Sequence, residues 1–322
     1  MLDSLARATP VAVVTGSSSG IGRATALALG HAGYAVILHA RGNVAGLQQV
    51  AHELQSTDAK NVSRTLCLTG DIACPQACRD IVRSAFAWKG RVDAWVNNAG
   101  ADVLTGRARQ QSFESRMQRL LAVDVAGTVR LCRLVAPLMT SQVVSALEKC
   151  NTDGGASSHI PRCNSDGGAS GHIRNANPTA ERRATLECST DGGASGHIPC
   201  IVNMGWDQAT LGMEDEPGQL FGTTKAAVAA FSTSLALSFP KIRVNCVAPG
   251  WIRTGWGETA ASGYWAQRAV DESLQSRWGT PEDVAQLIAW LVSDASRFVN
   301  GQTVAVNGGR RYYPSCDGKS IR

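Results

Sequence analysis

Several shortages in this sequence each close off a class of function. Charged residues make up only 18% of the 322, and the formal net charge is +5. Lysine and arginine are scattered and form no block of five or six, so the chain carries no electrostatic footprint for nucleic acid or for an anionic membrane surface. Residues Met1 to Pro10 contain Asp3 and Arg7 and no apolar run, which excludes a secretory leader or a membrane span in that stretch. The cytoplasm is the expected compartment. Aromatic residues are only 6% of the chain, and its four tyrosines are Tyr34, Tyr264, Tyr312 and Tyr313, so every phenolic proton donor can be enumerated. Cysteine, by contrast, is plentiful. Of the ten, Cys67, Cys74, Cys78, Cys132, Cys246 and Cys316 are dispersed through helix and strand patterns, where a thiol packs as a small apolar group and is expected to stay reduced.

Apolar runs of strand length alternate with helical periodicity from Pro10 to about Met139, and again from Ile201 to about Gly309. Val11 to Thr15, Ala35 to His39, Thr65 to Leu68, Ala94 to Asn97, Ile201 to Met204, Val244 to Ala248 and Thr303 to Val306 read as buried strands. Seven such strands separated by helices predict an α/β fold, a doubly wound seven-stranded parallel sheet with ligand sites at the carboxyl ends of its strands. Residues 1–139 and 200–310 are expected to form this single Rossmann-type domain, with 311–322 as a basic tail.

Between the halves, residues 140–199 turn to Gly, Ser, Asn and Asp, and one motif occurs three times: from Cys150 to His159, from Cys163 to His172 and from Cys188 to His197. So polar a stretch cannot bury enough apolar surface to offset its ordering entropy, and it is predicted to be a disordered insertion on the amino-end side of the sheet. A Cys and a His nine positions apart invite a zinc reading. The close ligand pairs of zinc modules are missing, however, so a solvated loop without metal is expected.

After the first strand, Thr15-Gly16-Ser17-Ser18-Ser19-Gly20-Ile21-Gly22 opens a helix. Glycines lacking Cβ let backbone amides at a helix N-terminus approach a pyrophosphate. Joined by Asp71, Asn97-Asn98-Ala99-Gly100, Lys225 and Pro249-Gly250 in this order, the sequence resembles the short-chain dehydrogenase/reductase family, in the general style of its 3-oxoacyl-thioester reductase branch. The resemblance implies a cofactor site in which Gly16, Ser18, Gly20, Ile21 and Gly22 cradle phosphate, and Asp71 and Ile72 flank adenine. It further implies that Asn98, Ala99 and Gly100 line the ribose, while Pro249, Gly250, Ile252 and Thr254 cradle the nicotinamide. At the end of the second strand, Arg41 can pair with a 2′-phosphate where an acidic residue would hold a free hydroxyl, which favours NADP(H) over NAD(H).

The family's catalytic set is Asn, Ser, Tyr and Lys. Of these four positions only Lys225 matches: Asp124 stands for the Asn, Trp206 falls at or next to the Ser, and Phe221 replaces the Tyr. The enoyl-reductase spacing, with Tyr seven residues before Lys, meets Gly218. A phenyl ring has no proton to give, and losing a general acid costs ~10²–10⁴ in rate. Asp207, or one of Glu214, Asp215 and Glu216, could act as an acid if burial raised its pKa, although a solvated turn is the expected role of the trio. Tyr264 is expected to pack in the substrate loop.

Trp206, Trp251, Trp256 and Trp265 enrich the substrate side and suggest a flat aromatic or apolar substrate. Two functions stay open: an NADP(H)-dependent oxidoreductase acting on a small-molecule carbonyl or alcohol with atypical or impaired proton donation, and a non-catalytic NADP(H)-binding regulatory protein. By the same resemblance, the long helices Gln111 to Met139 and Phe221 to Ser238 are expected to pair in a homodimer or homotetramer.

Overall fold

In the computed structural model, the described residues are 9–56, 64–153, 197–255 and 263–311. They form a single parallel sheet of seven strands: β1 (Val11–Thr15), β2 (Ala35–Ala40), β3 (Thr65–Thr69), β4 (Ala94–Asn97), β5 (Cys200–Met204), β6 (Arg243–Pro249) and β7 (Thr303–Val306). The spatial order is β3-β2-β1-β4-β5-β6-β7, so the winding reverses between β1 and β4 and opens a crevice at their carboxyl ends. All seven expected strands are present, with ends shifted by one residue at most, but only the five inner ones are buried as expected: the edge strands β3 and β7 lack a neighbour on one side and are partly exposed.

Both faces of the sheet are covered, and strand alternation sorts the core into two layers. Val11, Val13, Ile37, Trp95, Ile201 and Val244 face helices α3 (Pro75–Lys89) and α5 (Thr128–Asp153) through Ile81, Leu131 and Met139. Ala12, Val14, Val36, Leu38, Val96 and Val202 face the opposite side, against α1 (Gly20–His31), α2 (Val44–Ser56) and α8 (Pro281–Val292). This is why the strands read as continuous apolar runs. Among the described residues the remaining α-helices are α4 (Phe113–Leu120), α6 (Asp215–Ser238) and α7 (Gly263–Glu272).

Two expectations about helix limits are corrected. The segment from Gln111 to Met139 is not one regular helix: α4 passes through a π-helical stretch, Leu121–Gly127, before α5 begins. Nor does the helix stop at Met139, since α5 runs on to Asp153, so residues 140–153 belong to the helix and not to the insertion. Thr140 and Ser141 fit into the helix because their hydroxyls donate back to Ala136 O and Pro137 O. Gln142 then bonds both backbone groups of Val92, tying this turn to the start of β4. The rest of the insertion up to residue 196, and Tyr312 and Tyr313, lie outside the described residues.

At the amino end of the sheet, the third repeat's His197 contacts Asp294 Oδ1 at 3.1 Å and the Tyr34 hydroxyl at 3.4 Å. His197 therefore sits against the domain on the side away from the crevice. Among the described residues no group of three or more His, Cys, Asp and Glu side chains is placed to hold a metal ion, and six cysteines are free thiols.

Candidate active site

The turn after β1 is built so that backbone, and not side chains, fills its centre. Gly16 and Gly20 take positive φ, +67° and +54°. A Cβ on Gly16 would lie 2.8 Å from Ala99 Cα, and one on Gly22 would lie 2.2 Å from Gly16 O and 2.4 Å from Asn98 Nδ2. Only glycine permits this approach of helix α1 to the turn, which leaves the first amides of α1 without intrahelical partners at its N-terminus.

Asn98 and Thr15 brace the cradle. Asn98 Nδ2 donates to Thr15 O and Gly16 O, at 3.0 and 3.1 Å, while Thr15 Oγ1 accepts from the amides of Asn98 and Ala99. The side chain of Asn98 is therefore a support for the turn, with Ala99 and Gly100 continuing the wall. Ser18 is partly exposed beside Ile21, and Ser17 binds both backbone groups of His39, locking the turn to β2.

His39 is 1% exposed, and its Nε2 donates to Gly70 O at 3.0 Å, so the ends of β2 and β3 are joined one residue before Asp71. Burial pushes its pKa down, which keeps the ring neutral. Arg41 is exposed two residues further on, and among the described residues its side chain has no hydrogen-bond or ion-pair partner. Asp71 accepts the amide of Ala73, and the buried Ile72 packs against Gly127, where a Cβ would come within 3.0 Å.

Across the crevice, Gly250 donates its amide to Val306 O, and a Cβ on it would sit 2.6 Å from Asn307 Cβ. Ile252 is buried and bridges to Gly279, and Thr254 lies over the turn after β1, with its methyl 3.6 Å from where a Gly20 Cβ would be. Residues 234 positions apart in the chain thus close the two ends of one crevice.

Asp124, Trp206, Phe221 and Lys225, the four positions expected for a catalytic set, meet at the carboxyl ends of β4 and β5. Asp124, 2% exposed in the π-helical stretch, accepts the amide of Ala101 at 2.8 Å and pairs through Oδ2 with Lys225 Nζ at 2.9 Å. Lys225 also donates to Met204 O at 3.3 Å. One helical turn earlier on α6, Phe221 packs beside Leu120, Leu220 and Val103 and meets the Trp206 ring edge-on, 6.4 Å between centroids. Asp207 is held by Asn307 Nδ2 at 3.1 Å, and its Oδ1 is buried with no hydrogen-bond partner among the described residues. Burial pushes the Asp207 pKa up.

The acidic trio is exposed, as expected of a solvated turn, and two of its members also carry ion pairs. Glu214 pairs with Arg268 on α7, which also binds Glu272 at 2.5 Å, and Glu216 pairs with the buried Arg116 of α4. The Arg268 hydrogen bond holds the Glu214 carboxyl below its usual range. Trp251 donates to Glu272, lies tilted against Trp265 and meets Trp278 edge-on, at centroid distances of 5.6 and 6.0 Å. Tyr264 lies edge-on to Trp265, and Trp256 lies outside the described residues. An open groove of about 560 Å³ adjoins this cluster at Arg253 and Trp278 and contains none of the four catalytic positions.

The sequence reading missed the Arg268 and Arg116 pairs and the part of Trp278. The i,i+4 spacing of Arg268 and Glu272 is a readable signal, whereas partners 54 and 100 positions apart are not.

Comparison with known proteins agrees with this architecture. The family model for short chain dehydrogenase matches residues 10–146, and the model described as Enoyl-(Acyl carrier protein) reductase matches residues 184–311. A short-chain dehydrogenase of Penicillium roqueforti is 29% identical over 303 residues, covering 93% of this chain and 95% of the relative. The fold is similar to that of a 3-ketoacyl-(acyl-carrier-protein) reductase of Brucella melitensis complexed with NADH, with a TM-score of 0.67, 21% identity, and coverage of 94% of this chain and 98% of that one. An L-sorbose reductase of Gluconobacter frateurii complexed with NADPH and L-sorbose is similar at the same TM-score of 0.67, with 24% identity and coverage of 95% and 97%.

Proposed function

The chain belongs to the short-chain dehydrogenase family of oxidoreductases, and from that premise we propose an NADP(H)-dependent enzyme that moves hydride to or from a small carbonyl or alcohol, with proton donation impaired at Phe221. The observation that carries the nucleotide half is the cradle itself: the space where Cβ atoms of Gly16 and Gly22 would stand is already in contact with backbone, so the turn can present only amides to an anion. When bound, the nicotinamide supplies the hydride. Gly16, Ser18, Gly20, Ile21 and Gly22 would hold the phosphates, and Asp71, Ile72, Asn98, Ala99 and Gly100 the adenosine. Lys225, Pro249, Gly250, Ile252 and Thr254 would hold the nicotinamide end.

The NADP(H) preference is supported by the unpartnered guanidinium of Arg41 at the end of β2. Titration of the intrinsic and nicotinamide fluorescence with both reduced cofactors is expected to give tighter binding of NADPH. Arg41→Ala is expected to weaken NADPH about tenfold or more, the size of one charge-assisted hydrogen bond, and to leave NADH unchanged. Equal loss for both cofactors would remove the preference.

Phe221 and Trp206 favour a second reading, nucleotide binding without turnover, because they lack the hydroxyls of the family's Tyr and Ser, and Asp124 in place of the Asn adds to it. NADPH oxidation against ketones, quinones and 3-oxoacyl thioesters separates the two. The tryptophans around Trp251 support an aromatic or apolar substrate, and pairing of α5 and α6 between copies would give the homodimer or homotetramer. A soluble cytoplasmic protein with a polar, metal-free insertion completes the reading.

A further inference from the structure

Lys225 and Phe221 stand one helical turn apart on α6, so any group in place of the phenyl ring would feel the ammonium. That ammonium is already engaged. Its Nζ lies 2.9 Å from Asp124 Oδ2, with the Lys225 side chain 14% exposed and that of Asp124 2% exposed. The carboxylate is itself fixed, since its Oδ1 accepts the Ala101 amide at 2.8 Å and its Oδ2 is close enough to leave only 3.1 Å for a Cβ on Gly100. Met204 O takes a second N–H of Lys225, at 3.3 Å. Two opposite charges this close and this shielded from water present no net charge to position 221.

We propose that Asp124 is a positioning residue of this site: it fixes Lys225 and cancels its charge, so that Lys225 acts as a hydrogen-bond donor to the nucleotide and not as an electrostatic activator of a hydroxyl at position 221. The donor role rests on the nucleotide reading above, whereas the cancellation of charge does not. Asp124 and Phe221 then belong together. With no phenol to ionise, a neutralised lysine costs the site nothing, and restoring the phenol alone leaves it unactivated.

The test is ultraviolet difference titration of the phenol in Phe221→Tyr and in Phe221→Tyr/Asp124→Asn, each read against the parent so that the four native tyrosines subtract. In the single variant the added phenol is expected to titrate at or above the ordinary value of about 10. In the double variant, with the ammonium uncompensated, it is expected to fall by about one unit or more. An added phenol already below about 9 in the single variant, or no fall in the double one, overturns the proposal. Circular dichroism checks folding, and if the double variant does not fold, the single variant decides alone. NADPH titration of the parent runs in parallel. Its failure would count against the nucleotide reading and leave the phenol result standing.

Discussion

Gly22→Ala adds a single methyl group at the tightest point of the site. Its Cβ would lie 2.2 Å from Gly16 O and 2.4 Å from Asn98 Nδ2, about 1 Å inside ordinary contact. Neither neighbour can give way cheaply. Gly16 sits at φ +67° against Ala99, and Asn98 Nδ2 holds Thr15 O and Gly16 O. The turn must therefore move relative to α1, and overpacking of this kind costs about 1–3 kcal/mol. If that strain falls on the binding-competent turn, NADPH affinity drops by roughly 5- to 150-fold at 1.4 kcal/mol per decade. Gly42→Ala is the control: it lies near the same crevice, with nothing within 4 Å of its Cβ position, and its affinity is expected to match the parent. Fluorescence titration with NADPH, beside thermal melts, reads both. Parent-like binding by Gly22→Ala, or an equal loss in Gly42→Ala, would refute the cradle as the phosphate site.

Two further outcomes follow from buried charges. Arg243, 3% exposed, donates to Leu291 O at 2.6 Å, Ser293 O at 3.2 Å and Ser296 Oγ at 3.1 Å, so it caps the end of α8 from inside the sheet. Arg243→Met removes these bonds and should cost about 2–4 kcal/mol, visible as a fall of roughly 5–15 °C in Tm, and an unchanged Tm would show the cap to be dispensable. Asp207 has its folded pKa raised by burial, so the native state holds its proton to higher pH than the unfolded chain does. Stability from this group therefore falls as pH rises from the unfolded to the folded value, and the penalty is complete above both. Asp207→Asn, which can still accept from Asn307, should raise Tm at neutral pH and not in acid. The opposite pH dependence would refute burial as the cause.

The order of events along the crevice was legible in the chain because it depends on local rules. Apolar runs bounded by turn residues marked seven strands, and glycines at 16, 20 and 22 marked the place where a backbone must turn and come close to something. Residue identity alone also fixed what is missing: no tyrosine stands four residues before Lys225, whatever the fold. The length of α5 was not legible, because composition turns polar after Met139, while the added turns are held by hydroxyl bonds to Ala136 O and Pro137 O and by Gln142 on Val92.

What only the tertiary structure decided is the partnership of charges. Asp124 and Lys225 are 101 positions apart and Arg116 and Glu216 are 100 apart, and no periodicity links such pairs. In the sequence Asp124 is one altered letter and the acidic run beside Pro217 is a solvated turn. Once the chain folds, Asp124 meets Lys225 in a buried pair, while Glu214 and Glu216 meet Arg268 of α7 and Arg116 of α4 at the surface. Local propensity can be read along a chain, but electrostatic work depends on distances through space and on the water excluded between the groups.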